Sequence, residues 1–343
     1  MSDYPYSIPG QGEAGLKCGE ISYVYRCVDC GHIHPLPYNC ASVTCPVCYT
    51  YWASKASSRS SDILHGVAAA YLEALEDERV SLISLDPSVP NMGYNVMSRR
   101  LRDPRHIVFS PPKEFYFDFY TLDGARTAFK SIISKYLTRF LGGLFVFHPY
   151  RIRSSLQAAI SDIIDGVDYT SKWDVIHKDG LYLGSFTEYV TFSPHFHVLG
   201  FGSLPKSDYF HSVTGGWVYY TVGSRSLSVL TTTSGLVDEV QKTVAYLLTH
   251  CACVLNPETG RVRDCVSYFG ICARRNVVRV IKDGKHVVRR VYRCEVHCEN
   301  CGGNMVLSDS SSGLPFVDHE GKFHYREERI VFHRYIMKKY GCD

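Results

Sequence analysis

The sequence predicts a mixed fold of helices and strands, with a zinc-binding cysteine-rich region before it and a basic hairpin after it. Short β-favouring apolar runs bounded by Gly and Pro alternate with longer segments of helical period. Two C-x-x-C pairs, Cys27/Cys30 and Cys45/Cys48, are separated by fourteen residues near the start. Residues 261–293 hold ten Lys or Arg against two Asp, around a Lys-Asp-Gly-Lys turn. A chain of 343 residues can bury a substantial core, and its 45% hydrophobic and 21% charged content is ordinary for a globular protein. A net charge of +3 is too small to diagnose a nucleic-acid partner, so the distribution of charge carries the argument. No apolar run approaches bilayer-spanning length, and MSDYPYSIPG lacks the basic and apolar regions of a secretion signal. The expectation is therefore a cytoplasmic protein with no membrane partner. In a reducing compartment, C-x-x-C pairs read as metal ligands rather than disulfides.

Residues 1–52 form the cysteine-rich, zinc-ribbon-like region. Cys27, Cys30, Cys45 and Cys48 have the spacing of one tetrahedral structural zinc site, while Cys18, Cys40, His32 and His34 leave the full ligand set open. Residues 50–77 read as a helix from Ile63, Leu64, Val67, Tyr71 and Leu75, and residues 78–104 as a Pro- and Gly-containing connector; helix and connector together make a 53–104 segment.

Residues 105–275 form the core. His106 to Phe109 is a strand stopped by Ser110-Pro111-Pro112. Asp123 caps a helix over 124–141, with Phe129, Ile132, Tyr136 and Phe140 on its buried side and Gly142-Gly143 at its end. A strand over 144–148 closes at Pro149, and a short helix covers 154–164. Strands follow at about 190–201 and 217–222. Ser234 caps a helix over 234–251, and a short strand lies near 266–271.

Residues 276–343 contain the basic hairpin and a tail. Arg279, Arg289 and Arg290 of the hairpin are candidate phosphate contacts, against the alternative of an edge strand charged to prevent aggregation. Cys298-x2-Cys301 looks like half of a zinc knuckle, whose other half is offered by Cys251 and Cys253, or by Cys265, Cys272 or Cys294.

Within SPHFHVLGFG, His195 and His197 stand two apart in a β-favouring run. Both imidazoles then project from one face and are placed to grip a divalent ion, or else to be satisfied by hydrogen bonds in a half-buried sheet. Tyr246 and His250 are four apart on the 234–251 helix and share a face.

The wording HIVFSPP, GGLFVFHPYR, SPHFHVLGFG and AYLLTH, in this order, resembles the HUH endonucleases, and most closely the rolling-circle replication initiators of archaeal plasmids and related viruses. The resemblance covers residues 105–252 well. It implies an α+β core in which a mainly antiparallel sheet with flanking helices holds a metal, so that residues 105–275 become a nicking and joining domain. Tyr246 would be the nucleophile and His250 its possible assistant, standing in where many members have a lysine at the place of Thr249. The third metal ligand is His148, with Glu188 the runner-up. Phosphate chemistry favours Mg²⁺ or Mn²⁺ at this centre, with Zn²⁺ at the cysteines. The expected activity is site-specific cleavage of one DNA strand, leaving a 5′-phosphotyrosine link and a free 3′-OH. Single- and double-stranded origin DNA would be the partners. Host polymerase and helicase are expected too, since no G-x-x-x-x-G-K-[ST] loop is present. The alternatives are a transposase or mobilisation relaxase of the same chemistry, and a non-catalytic zinc-ribbon DNA-binding regulator.

Overall fold

The computed structural model describes residues 6–14, 18, 21–37, 39–40, 42–76, 94–157, 160, 172–177, 186–224, 230–232, 235–237, 239–254, 262–263, 265–273, 276, 300–301 and 305–309. In chain order, strands β1 (Ile21–Cys27) and β2 (Ile33–Pro37) precede helices α1 (Tyr49–Glu76) and α2 (Tyr94–Arg102). Then come β3 (Arg105–Ser110), α3 (Leu122–Tyr136), β4 (Phe140–Ile152), β5 (Val190–Gly202), α4 (Ser207–Val213) and β6 (Val218–Ser224). The hairpin β7 (Leu230–Thr232) and β8 (Gly235–Val237) leads to α5 (Glu239–Leu248), β9 (Val266–Gly270) and β10 (Met305–Asp309). The fold is α+β, built on a five-stranded antiparallel sheet of order β6-β3-β5-β4-β9.

Register gives this sheet two different faces. Along β5, His195, His197, Leu199 and Phe201 alternate with Phe196 and Val198. His148, Val146 and Leu144 of β4 lie opposite His195, His197 and Leu199. On the other side, Val108 and His106 of β3 lie opposite His197 and Leu199. Leu144, Val146, Leu199 and Phe201 of this face pack against Leu64, Val67 and Tyr71 of α1 and Val240, Val244 and Leu247 of α5. The reverse face is aromatic: Phe109, Phe145, Phe147 and Phe196 pack with Phe129 of α3. Phe129 stacks on Phe196 with centroids 4.2 Å apart and planes 5° apart. Each such fully buried side chain contributes about 1.5–3 kcal/mol of transfer free energy.

Several boundaries differ from the sequence expectation. Helix α3 is capped by Thr121, whose side chain accepts from the Gly124 backbone N–H, rather than by Asp123. It stops at Tyr136, and Phe140, Gly142 and Gly143 belong to β4. The glycines serve close strand approach, not helix termination: a Cβ on Gly143 would lie 2.3 Å from the Leu199 carbonyl oxygen. Strand β4 also runs on through Pro149, which sits where the pairing shifts between His148 and Tyr150 and a missing N–H is tolerated. The connector contains α2, with Arg99, Arg100 and Arg102 in its last turn, where cations complement the helix dipole. Helix α5 begins at Glu239, because Gly235–Val237 pairs as a strand; Ser234 lies outside the described residues. The 154–164 helix is described only as a 3₁₀ turn at Ser154–Leu156 and at residue 160.

The cysteine-rich region forms a second, three-stranded sheet of order β10-β1-β2, and so takes one strand from residues 305–309. Further forward, Tyr6 is tied to the core: its N–H donates to Tyr150 Oη at 2.9 Å, and Tyr150 Oη donates back to its carbonyl at 2.6 Å. Among the described residues, no helix is long and apolar enough to cross a membrane.

Two glycines should respond oppositely to alanine. Gly143→Ala drives a methyl group into the Leu199 backbone and should cost about 1–3 kcal/mol. Gly66→Ala in α1, where a new Cβ meets nothing within 4 Å, should add about 0.5–1 kcal/mol through helix propensity. Urea unfolding midpoints of the two variants check the contrast.

Candidate functional site

On the α5-facing side of the sheet, His148, His195 and His197 each offer a ring nitrogen, and the three nitrogens lie within 4.8 Å of one another. Strand pairing does the positioning, since His148 and His195 are direct register partners and His197 is two residues along. His195 Nδ1 donates to the Ser193 carbonyl at 2.8 Å, which fixes the tautomer and leaves the Nε2 lone pair available. His197 Nδ1 is 2.8 Å from Nε2 of His106, leaving its own Nε2 for a ligand. His148 is fully buried, and neither of its ring nitrogens has a hydrogen-bond partner. A buried polar atom left unsatisfied costs about 1–3 kcal/mol. A cation bound to one lone pair offsets that cost, so the donor set fits a metal ion. Glu188 is exposed on the short helical turn Phe186–Tyr189 and is not part of the group.

Burial is the main electrostatic influence. It pushes the His148, His197 and His250 pKa values well below the usual imidazole value, with the neighbouring histidines acting in the same direction. His195 falls to about 3, first by burial and then by the positive charge of Arg151, against a raising hydrogen bond to the Ser193 backbone. All four are therefore neutral at pH 7, the form that ligates metals.

Tyr246 lies on α5, whose buried side packs against this sheet face, and its side chain is 43% exposed. His250 connects it to the cluster. The His250 ring meets Tyr246 edge-on at 4.9 Å and His148 edge-on at 4.4 Å, and stacks on Trp173 at 4.5 Å. The turn beyond α5 is held by His177, whose Nε2–H donates to the Thr249 carbonyl at 2.8 Å. His106 and Arg151 complete the surroundings, and neither was singled out from the sequence. Arg151 donates to Ser110 Oγ at 2.9 Å. The alternation along β3 holds the signal for His106, which is four residues from Ser110 and on the same face as His195 and His197.

The cysteines assemble differently from the spacing argument. Cys45 and Cys48 join Cys18 and Cys40, whereas Cys27 and Cys30 join Cys301. The single ribbon site of Cys27, Cys30, Cys45 and Cys48 is thus corrected to two separate groups. The reason is local: the Cys45–Cys48 turn runs directly into α1, with Tyr49 N–H donating to the Cys45 carbonyl and Trp52 N–H to that of Cys48. The Cys27–Cys30 turn instead ends β1, beside β10. The pairing of Cys301 with Cys251 and Cys253 is corrected as well. Both are buried in the core, where Cys251 donates to the Leu248 carbonyl, and burial raises the Cys253 thiol to about 12. Cys298, Arg279, Arg289 and Arg290 lie outside the described residues.

No protein-family model, curated protein or solved structure matches this chain.

Two outcomes follow from this geometry. If the group binds a divalent metal, His148→Ala should weaken that binding by about 100-fold or more, and His106→Ala, which removes only the partner of His197 Nδ1, by about 10–100-fold; isothermal titration separates them. The metal-free protein should also lose stability in acid. The unfolded chain binds protons near pH 6.5 that the buried rings refuse, so stability is full above that pH and falls below it. The slope is about 1.4 kcal/mol per pH unit for each histidine kept neutral. Thermal melts between pH 7.5 and 5 measure it.

Proposed function

We propose that the chain is a metal-dependent enzyme that nicks and rejoins single-stranded DNA, with Tyr246 as nucleophile, acting as an initiator of rolling-circle replication. The observation that carries this reading is the pair of facing elements: three metal-competent imidazoles on one sheet face, and a partly exposed tyrosine on the helix covering that face. The order of the motifs is that of the HUH endonucleases, and the antiparallel sheet is the arrangement such a site uses.

The chemistry is a transesterification. The Tyr246 phenol oxygen attacks phosphorus, the P–O3′ bond breaks, the phenol proton passes by way of solvent or a base to the leaving 3′-oxygen, and a 5′-phosphotyrosine remains. A bound Mg²⁺ or Mn²⁺ would polarise the phosphate and neutralise its charge. The protein's own groups do the rest. His148, His195 and His197 would hold the ion. His250, kept neutral by burial, backs the Tyr246 ring and fixes the helix face against the cluster. Arg151, beside Ser110 and close enough to lower the His195 pKa, supplies a second positive charge for the phosphate.

The test is incubation of the full chain with single-stranded oligonucleotides tiling its replicon, in Mn²⁺, followed by denaturing gels. A protein-linked DNA fragment is expected, lost in Tyr246→Phe and in His197→Ala and reduced at least tenfold in Arg151→Ala. Binding without cleavage across the whole tiling, unchanged by Tyr246→Phe, would instead establish a DNA-binding regulator.

A further inference from the structure

The amino-terminal sheet is closed by a strand from near the other end of the chain, and a thiol group sits at that junction. Cys27 ends β1 and pairs in register with Met305 of β10. Cys301 stands just before that strand, and its Sγ lies 3.4 Å from Sγ of Cys27. That is far beyond the roughly 2.05 Å of a disulfide. It is near the ~3.8 Å between sulfurs on one tetrahedral zinc with ~2.3 Å bonds.

The turn from Cys27 to Gly31 is shaped to present thiolates. Gly31 N–H donates to the Cys27 carbonyl at 3.1 Å, and Gly31 itself is left-handed at φ +71°. Cys27 N–H donates to the His32 carbonyl at 2.8 Å, closing the turn. Backbone N–H groups of Cys30 and Asp29 point at the Cys27 sulfur, the arrangement that stabilises a metal-bound thiolate. A second, complete set of four thiols exists elsewhere, at Cys18, Cys40, Cys45 and Cys48, so this group is not a fragment of that one.

We infer that Cys27, Cys30 and Cys301 bind a second zinc ion, which clasps strand β10 to the amino-terminal sheet. Three thiolates with one further donor complete a tetrahedron. The clasp answers a physical need. Bringing residues 274 positions apart together carries a loop-closure cost, and β10 pairs with β1 over only five residues. Zinc binding offsets that cost, because its free energy becomes folding free energy. Cys30 and Cys301 are exposed, so this ion is also the more open of the two to a chelator.

The experiment uses the full chain carrying His195→Ala and His197→Ala, so that the imidazole cluster adds no zinc. Two zinc ions per chain are expected by elemental analysis. Cys301→Ser should leave one and raise amide hydrogen exchange in 21–27 and 305–309, and the double variant Cys40→Ser with Cys48→Ser should also leave one without loosening that pairing. Should these variants fail to fold, maleimide labelling of the unsubstituted chain decides. Zinc should protect Cys27, Cys30 and Cys301 alongside Cys18, Cys40, Cys45 and Cys48, and mild chelation should release the first group before the second. One zinc per chain, retention of both in Cys301→Ser, free labelling of Cys301 in the zinc-loaded protein, or a Cys27–Cys301 disulfide in the reduced, zinc-supplied protein would each overturn the clasp.

Discussion

Imidazole is cheap to bury when neutral and expensive when charged, and this constraint shapes the centre of the molecule. His106, His148, His195 and His250 are buried and His197 is partly so, all on one side of one sheet. Five rings so close cannot all carry protons. Kept neutral, each ring has one N–H and one lone pair to satisfy, and the internal hydrogen bonds use only some of them: the Ser193 carbonyl accepts from His195, and His106 Nε2 pairs with His197 Nδ1. What is left over, most clearly on His148, points to a cation. The apolar packing of α1 and α5 on the same sheet face helps to keep these rings dry and unprotonated, the form in which His148, His195 and His197 could hold a metal ion.

The division between the two sheet faces follows from the alternation of β5. Aromatic residues fill one side, while histidines and aliphatic residues line the other. A rigid layer of stacked rings behind the histidine face holds strand positions in place, and the direct pairing of His148 with His195 transmits that rigidity to the imidazoles.

Much of this was legible in the residues. The H-x-H spacing gave a shared face because a strand repeats every two residues, and the Pro and Gly boundaries located the five strands of the central sheet to within a few positions, while β1, β2, β7, β8 and β10 were not anticipated. Helix α1 was evident from periodicity. The exceptions have physical causes. Gly142 and Gly143 look like a helix stop, but they relieve a close approach to Leu199, which only the paired strand reveals. Pro149 looks like a strand end, but it sits at an irregularity in the pairing. His106 was visible as a letter but not as a neighbour, because its contact with His197 depends on which strands lie side by side. The cysteines failed for the same reason. Spacing identifies a turn that presents two thiolates, but which turns meet is decided by β10 and α1, far away in sequence or leading elsewhere in space.

The reciprocal bonds between Tyr6 and Tyr150, and the bond from the Cys253 N–H to the Ser7 carbonyl, have a consequence for biosynthesis. A ribosome delivers residue 6 long before residues 150 and 253, and residue 27 long before residue 305. Strands β3, β4 and β5, by contrast, need only residues 105–202 to pair with one another. These strands can therefore pair before β10 is made, which β1 must await on its other edge. Tyr6 and Cys27 emerge before the residues they pair with and settle after them, and the thiols of Cys27 and Cys30 wait for Cys301.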